Sequence, residues 1–150
     1  MATKAEAAFK NSDLVSKLVK ANATFALDLY KELLKDKPKE NIFFSPLSIS
    51  AAFAMVRLGA RGNTATQMEE VLKFGSVDKR QIHAAFEDFN SVFLNPDSPY
   101  ILRTANRLFA RKGYTFLQEF LNATKQCYKA ETTVKDFVGN AEESRAEINQ

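Results

Sequence analysis

The residues of this chain that could do chemistry are few: Ser45 and Ser48, three arginines spaced by four (Arg103, Arg107 and Arg111), one histidine and one cysteine. A serine nucleophile needs a base beside it, and the familiar base is an imidazole. His83 is the single histidine, so neither a His-based triad nor a His-rich metal site can be built here. It reads as an ordinary surface residue. Cys127 falls on the apolar stripe of an expected helix and reads as a buried, inert thiol, although Lys125 and Lys129 would supply the basic neighbourhood a reactive one needs. The arginine series, with Lys112 beside it, could meet a polyanion, but Ile101, Ala105 and Phe109 interrupt that face and favour a solvated rim. Asn22-Ala-Thr and Asn122-Ala-Thr are glycosylation sequons, meaningful only after secretion. No phosphate-cradling glycine loop, paired-cysteine motif or carboxylate pair is present, and no enzymatic activity, cofactor or metal is expected.

The two serines are positioned by residues 41–62, the stretch around which the rest is organised. Ile42-Phe43-Phe44 has the length and composition of a buried strand. Ser45 offers a hydroxyl as N-cap, and Pro46 suits the first helical position, where its missing N–H is no loss. From Leu47 to Leu58 only Ser48, Ser50 and Arg57 are polar, which predicts a helix buried on nearly every side. Gly59 and Gly62 bracket its exit and could take a left-handed cap.

A chain of 150 residues with 45% hydrophobic and 26% charged residues is long enough to bury a core. Its net charge of +3, from 21 basic and 18 acidic residues, is too mild and dispersed for a nucleic-acid binder. One cysteine rules out an internal disulfide framework and suits a reducing compartment. The first residues lack an apolar core of signal-peptide length, and no stretch is long and apolar enough for a membrane helix. The expected setting is therefore cytoplasmic, with the extracellular space by unconventional export as the alternative, and neither nucleic acid nor membrane as partner.

Ser12 or Asp13 can cap a first helix running to about Leu34, with Leu14, Leu18, Phe25, Leu29 and Leu33 on one stripe. After Gly62, Thr64 and Gln67 have capping-box spacing for a short helix that Gly75 would stop. Asp78 starts another, with Ile82, Ala85, Phe86, Phe89 and Phe93 on one side, before an Asn-Pro turn at Asn95. Residues 100–111 read as a long strand with apolar residues on both faces, hence one inside a covered sheet. A helix over 116–128 and a strand over 130–138 follow. Asn140 and Glu143 open a last helix at Ala141, yet the chain stops at Gln150 with no helix-ending signal. The expectation is the front of a longer protein, cut inside a helix.

Several separate motifs now identify a family. Residues 41–50, NIFFSPLSIS, followed by AMVRLGARGNT at 54–64, closely resemble the N-terminal motif of the serpins. SPYILRTANRLF at 98–109 resembles their long sheet strand, and Tyr114-x-Phe-Leu117, Asp136-Phe137 and Ile148-Asn149-Gln150 match later landmarks in order. The match runs from about residue 18 onward, nearest in character to the ovalbumin-like intracellular branch. The resemblance implies an α+β serpin fold, several helices packed on a large mixed sheet, of which residues 1–150 are the N-terminal portion of one incomplete domain. It implies suicide inhibition of a serine protease, or in some members a cysteine protease, by a cleaved reactive-centre loop that inserts into a metastable sheet. Ser45 and Ser48 match the shutter, where that sheet parts; a hydroxyl there can exchange partners, and the cap role of Ser45 is compatible with it. Phe43, Phe44, Phe53 and Met55 would pack beneath the sheet. The reactive loop lies outside these residues, so the chain alone is expected neither to inhibit nor to insert, and the full-length protein to be a monomer. A non-inhibitory serpin scaffold (storage, chaperone or ligand carrier) and a truncated interaction module are the alternatives.

Overall fold

Asn11 opens the first helix, α1, Ser12–Asp36: its side-chain Oδ1 accepts the Leu14 N–H at 3.1 Å, and its carbonyl accepts that of Val15. The cap is therefore one residue earlier than Ser12 or Asp13, because it is Asn11 whose carboxamide reaches the first free amides. The computed structural model describes residues 8–36, 38–95, 97, 99 and 104–149. They fall into two compact units, Met1–Arg103 and Thr104–Gln150.

The first unit is helical. α1 buries Leu14, Val15, Leu18, Ala21 and Phe25, four of them on successive turns of one face, while Leu29 and Leu33 are only half-buried. α2, Pro46–Gly59, and α3, Gly62–Val71, are joined by Ala60 and Arg61; a short 3₁₀ turn, Phe74–Ser76, then leads to α4, Ile82–Phe93. Phe86 and Phe74 are both fully buried and meet edge to face, 6.2 Å between centroids. Asp88 of α4 is a buried carboxylate whose two oxygens accept the backbone N–H groups of Lys10 (3.0 Å) and Asn11 (2.8 Å). That pair of charge-assisted bonds fixes the entry of α1 against α4. Ser50, fully buried on α2, donates to Asn22 Oδ1 of α1 at 3.0 Å.

Several boundaries differ from the sequence expectations. α3 starts at Gly62, so Thr64 lies inside the helix rather than capping it; Arg61 is the N-cap residue, without a side-chain cap bond. α2 ends in Ala60 at an ordinary extended φ of −71°, while Gly62 takes φ +56° to enter α3. The turn after α3 is made by Lys73 at φ 61°, not by Gly75. Asp78 does hold the turn ahead of α4, its Oδ1 accepting Arg80 N–H at 2.8 Å. Asp97 N–H bonds Asn95 Oδ1 at 3.0 Å, the expected Asx turn.

In the second unit β1, Arg107–Arg111, and β2, Glu131–Lys135, pair in parallel, Arg107 opposite Glu131 and Arg111 opposite Lys135, joined through α5, Gln118–Tyr128. A parallel pair requires such a crossover. β1 is shorter than the strand expected over 100–111: residues 104–106 carry no ladder, and 100–103 lie outside the described residues. β2 is likewise trimmed, because Asp136 leaves the ladder to accept the N–H groups of Gly139 (2.8 Å) and Val138 (3.3 Å). At Gly139 a Cβ would stand 2.8 Å from Asp136 Oδ2, so a side chain there would push the Asp136 carboxylate aside. α6, Ala141–Ile148, begins where expected, but Asn140 makes no side-chain cap bond. Asn106 Nδ2 donates to the carbonyl of Tyr128 at 3.0 Å, closing the unit at the end of α5.

Candidate functional site

Ser45 sits at the N-cap of α2 with extended backbone (φ −110°, ψ 101°), followed by Pro46 in the first turn. Its Oγ accepts the Ser48 N–H at 3.3 Å and lies 2.9 Å from Ser48 Oγ. Proline presets the first helical φ, serine satisfies one orphan amide, and the three-residue spacing brings the second hydroxyl onto the first. Each hydroxyl has one proton and two acceptor sites, so the single bond they share leaves capacity for another partner. Both serines are exposed.

The apolar residues expected to support this corner divide. Met55 is 3% exposed, on the α2 face that also buries Ser50, Ala51 and Ala54. Phe53 is 49% exposed and Phe43 fully so, while Phe44 is half-buried. The expectation of burial fails for Phe43 and Phe53 in this structure. Residues 42–44 have no ladder partner among the described residues, and α1, α3 and α4 cover only one side of α2. The helix is apolar all round but buried on one face.

Arg103 lies outside the described residues. Arg107 and Arg111 stand exposed at the two ends of β1, about 13 Å apart at ~3.3 Å per residue, and Arg111 lies over the Tyr114 ring at 5.8 Å. The structure does not draw them into one cluster. Cys127 is buried, as its stripe predicts. His83 departs from its surface reading: it is half-buried on α4, and desolvation, aided by the positive charge of Arg57, pulls its pKa down to about 4. Among the described residues no group of three acidic, histidine or cysteine side chains could hold a metal, and no helix is long and apolar enough to cross a membrane.

Sequence reasoning missed an ionic centre in the helical unit. Glu69 of α3 is buried, with Oε1 accepting Arg57 Nε of α2 at 2.8 Å and a second contact from the same guanidinium. Its Oε2 meets Lys79 Nζ at 2.8 Å. Burial pushes the Glu69 pKa up, but the bonds from Lys79 and Arg57 outweigh it and hold the carboxyl below its usual value. The one available signal was Arg57 itself, the only charge inside an otherwise apolar helical run.

These elements correspond to known proteins throughout. The family model described as "Serpin (serine protease inhibitor)" matches residues 20–150. Leukocyte elastase inhibitor of Equus caballus is 46% identical over 136 residues, 91% of this chain and 35% of that protein. Serpin B6 of Pongo abelii is 47% identical over 133 residues, 88% of this chain and 35% of its own length. The structure of ovalbumin from emu (Dromaius novaehollandiae) superposes with a TM-score of 0.83 at 35% identity, covering 89% of this chain and 38% of that one. The chain thus spans about a third of the length of the relatives it matches. Matched by that family model over residues 20–150, the chain belongs to the serpin family.

Proposed function

We propose that residues 1–150 form the N-terminal portion of a single serpin domain, and that the whole protein inhibits a serine endopeptidase as a suicide substrate, its reactive loop entering the main sheet after cleavage. The observation that carries this reading is the family match over residues 20–150, together with relatives named leukocyte elastase inhibitor at 43–46% identity. In it, Ser45 and Ser48 are the shutter pair: they hold each other in one state of the sheet and exchange partners as strands separate. Phe43, Phe53 and the exposed face of α2 are then covered by the rest of the domain. The 150-residue chain, without a reactive loop, neither inhibits nor inserts. The whole protein acts as a cytoplasmic monomer, with release to the outside by unconventional export as the alternative setting.

The test incubates the full-length product with elastase-like, trypsin-like and papain-like proteases and looks for adducts that survive denaturant. An adduct with a serine protease bears the reading out, and one confined to the papain-like enzyme moves the target to cysteine proteases. Cleavage of the product without any adduct overturns inhibition in favour of a non-inhibitory scaffold. An adduct formed by the isolated 150-residue chain refutes the assignment of that chain as inactive.

A further inference from the structure

The chain carries two Asn-Ala-Thr sequons, one on α1 at Asn22 and one on α5 at Asn122, and the fold treats them in opposite ways. Such a triplet marks an acceptor for N-linked carbohydrate, a bulky group that only a surface can carry. Asn122 meets that condition. It is exposed, and so are the residues one turn away on either side, Gln118, Glu119, Lys125 and Gln126. Its Oδ1 accepts from Gln118 Nε2 at 2.9 Å, which occupies the oxygen and leaves the nitrogen, the atom a sugar would take, outside that bond. Thr124 completes the triplet from the opposite face of α5: fully buried, it donates its hydroxyl to the Leu121 carbonyl at 3.0 Å. That hydroxyl is closed once the helix has formed. The sugar therefore has to be added to the unfolded chain, and folding then turns Thr124 inward and Asn122 outward.

Asn22 fails the same condition. It shares the buried face of α1 with Leu18, Ala21 and Phe25, and is itself half-buried. Its Oδ1 accepts from Ser50 Oγ at 3.0 Å, and Ser50 is fully buried on α2. A sugar on Nδ2 would begin at the other polar atom of the same planar carboxamide, beside the α1–α2 contact. It would have to part the two helices or turn the side chain away. Turning the side chain away strands the buried Ser50 hydroxyl without this partner, and an unmet buried hydroxyl is a cost to the fold. Thr24, by contrast, is exposed and donates to the Lys20 carbonyl of its own helix at 3.0 Å.

We propose that Asn122 is an N-glycosylation site, and that Asn22, despite the same triplet, has to stay bare for α1 to dock on α2. In the transfer, the Asn122 amide nitrogen forms a bond to the anomeric carbon of an oligosaccharide carried on a lipid diphosphate. The bond from that carbon to the diphosphate oxygen breaks, the lipid diphosphate leaves, and the amide gives up one proton. The modification falls on copies that pass through a compartment holding such a donor. It does not depend on inhibition, because it follows from the surroundings of the two asparagines alone.

Expression of the full-length protein behind a secretion leader in a glycosylating eukaryotic host tests it, with glycopeptide mapping of the folded protein in the medium. The peptide holding Asn122 should carry carbohydrate, and the peptide holding Asn22 should not. Asn122→Gln should lose one step of the mobility shift that peptide N-glycosidase removes, and should melt with the parent once both have been deglycosylated. Thr24→Ala abolishes the first triplet without touching the Asn22–Ser50 bond. It should keep the sugar on Asn122 and reach the medium at least as well as the parent. Sugar on Asn22 in the folded, secreted protein, a bare Asn122, or an unchanged shift in Asn122→Gln would each overturn the assignment. So would the absence of folded protein from the medium for the parent and both variants.

Discussion

Phe86 in the helical unit and Phe109 in the strand unit are the same side chain in opposite circumstances. Phe86 is sealed by its own unit: it points inward from α4, edge-on to Phe74, among residues of α1 and α2 that were brought there by short helical connections. Phe109 sits at the centre of β1 yet is only half-buried, because a two-stranded parallel sheet needs a layer on each face and its unit supplies α5 and little else. The second unit accordingly leaves Tyr114, Leu117, Val134 and Val138 exposed. Helices that pack on their sequence neighbours can complete a core locally; parallel strands cannot. The comparison predicts where stability resides.

The sharpest way to break it is a pair of truncations. Phe86→Ala should destabilise the helical unit by about 3–5 kcal/mol, the range for emptying a buried aromatic site. Phe109→Ala should cost only about 1–2 kcal/mol, since its ring is incompletely buried. Residue-resolved hydrogen exchange reads both, and equal losses would show that the two cores are equally closed.

A pH titration separates the units by a different route, since the only histidine lies in the first. His83 has a folded pKa of about 4, whereas the unfolded chain titrates near 6.5. Between those values the unfolded state takes up a proton that the folded state declines, so stability falls as pH drops from 6.5 to 4 and the slope ends there. At ~1.4 kcal/mol per unit the loss is about 3 kcal/mol at most. The Glu69 carboxyl, held below its usual value, adds a second decline at lower pH, where its protonation releases Arg57 and Lys79. Amide protection of α4 should weaken across the first window while that of β1 and β2 does not, and His83→Gln should remove this limb alone.

How much of this could be read from the sequence follows the reach of each interaction. The corner at Ser45 and Pro46 and the course of α2 were legible because cap, proline and helix periodicity act within a few residues. So were the parallel arrangement's ingredients, two strands around α5, and the burial of Cys127. Exposure of Phe43 and Phe53 was not, because an apolar pattern states what a segment would bury, not whether a cover is present. The left-handed turns at Lys73 and Lys129 were invisible because glycine is the residue such turns advertise. The Arg57–Glu69–Lys79 centre joins residues 12 and 10 positions apart on two helices and a turn, so only the folded chain assembles it. The same holds for His83, whose burial is set by its neighbours and not by its own helix.

Helix caps sharpen the contrast on a smaller scale. Ser45 bonds the Ser48 amide, whereas Asn140 makes no side-chain cap bond at the head of α6. Ser45→Ala should therefore cost about 1 kcal/mol, with exchange quickened at the first turn of α2. Asn140→Ala should move α6 by only a few tenths of that, and the reverse ranking would mean that the second unit depends on its cap more than its geometry shows.

The smallest expected effect carries the opposite sign. Thr132 on β2 has a buried Oγ1 with no hydrogen-bond partner among the described residues, whereas Thr124 on α5, fully buried in the same unit, donates its hydroxyl to the Leu121 carbonyl at 3.0 Å. A buried hydroxyl that has given up water without gaining a partner is a standing cost, and one that is bonded is a modest gain. Valine keeps the β-branched shape of threonine and suits a strand at least as well. Thr132→Val should thus raise the stability of the strand unit, by up to about 1 kcal/mol, while Thr124→Val should lower it by a similar amount. Because both changes remove the same atom from the same unit, their difference isolates hydrogen-bond satisfaction from hydrophobicity. A loss at both positions would mean that Thr132 finds a partner in solution, and that the strand unit is better satisfied than its short ladder suggests.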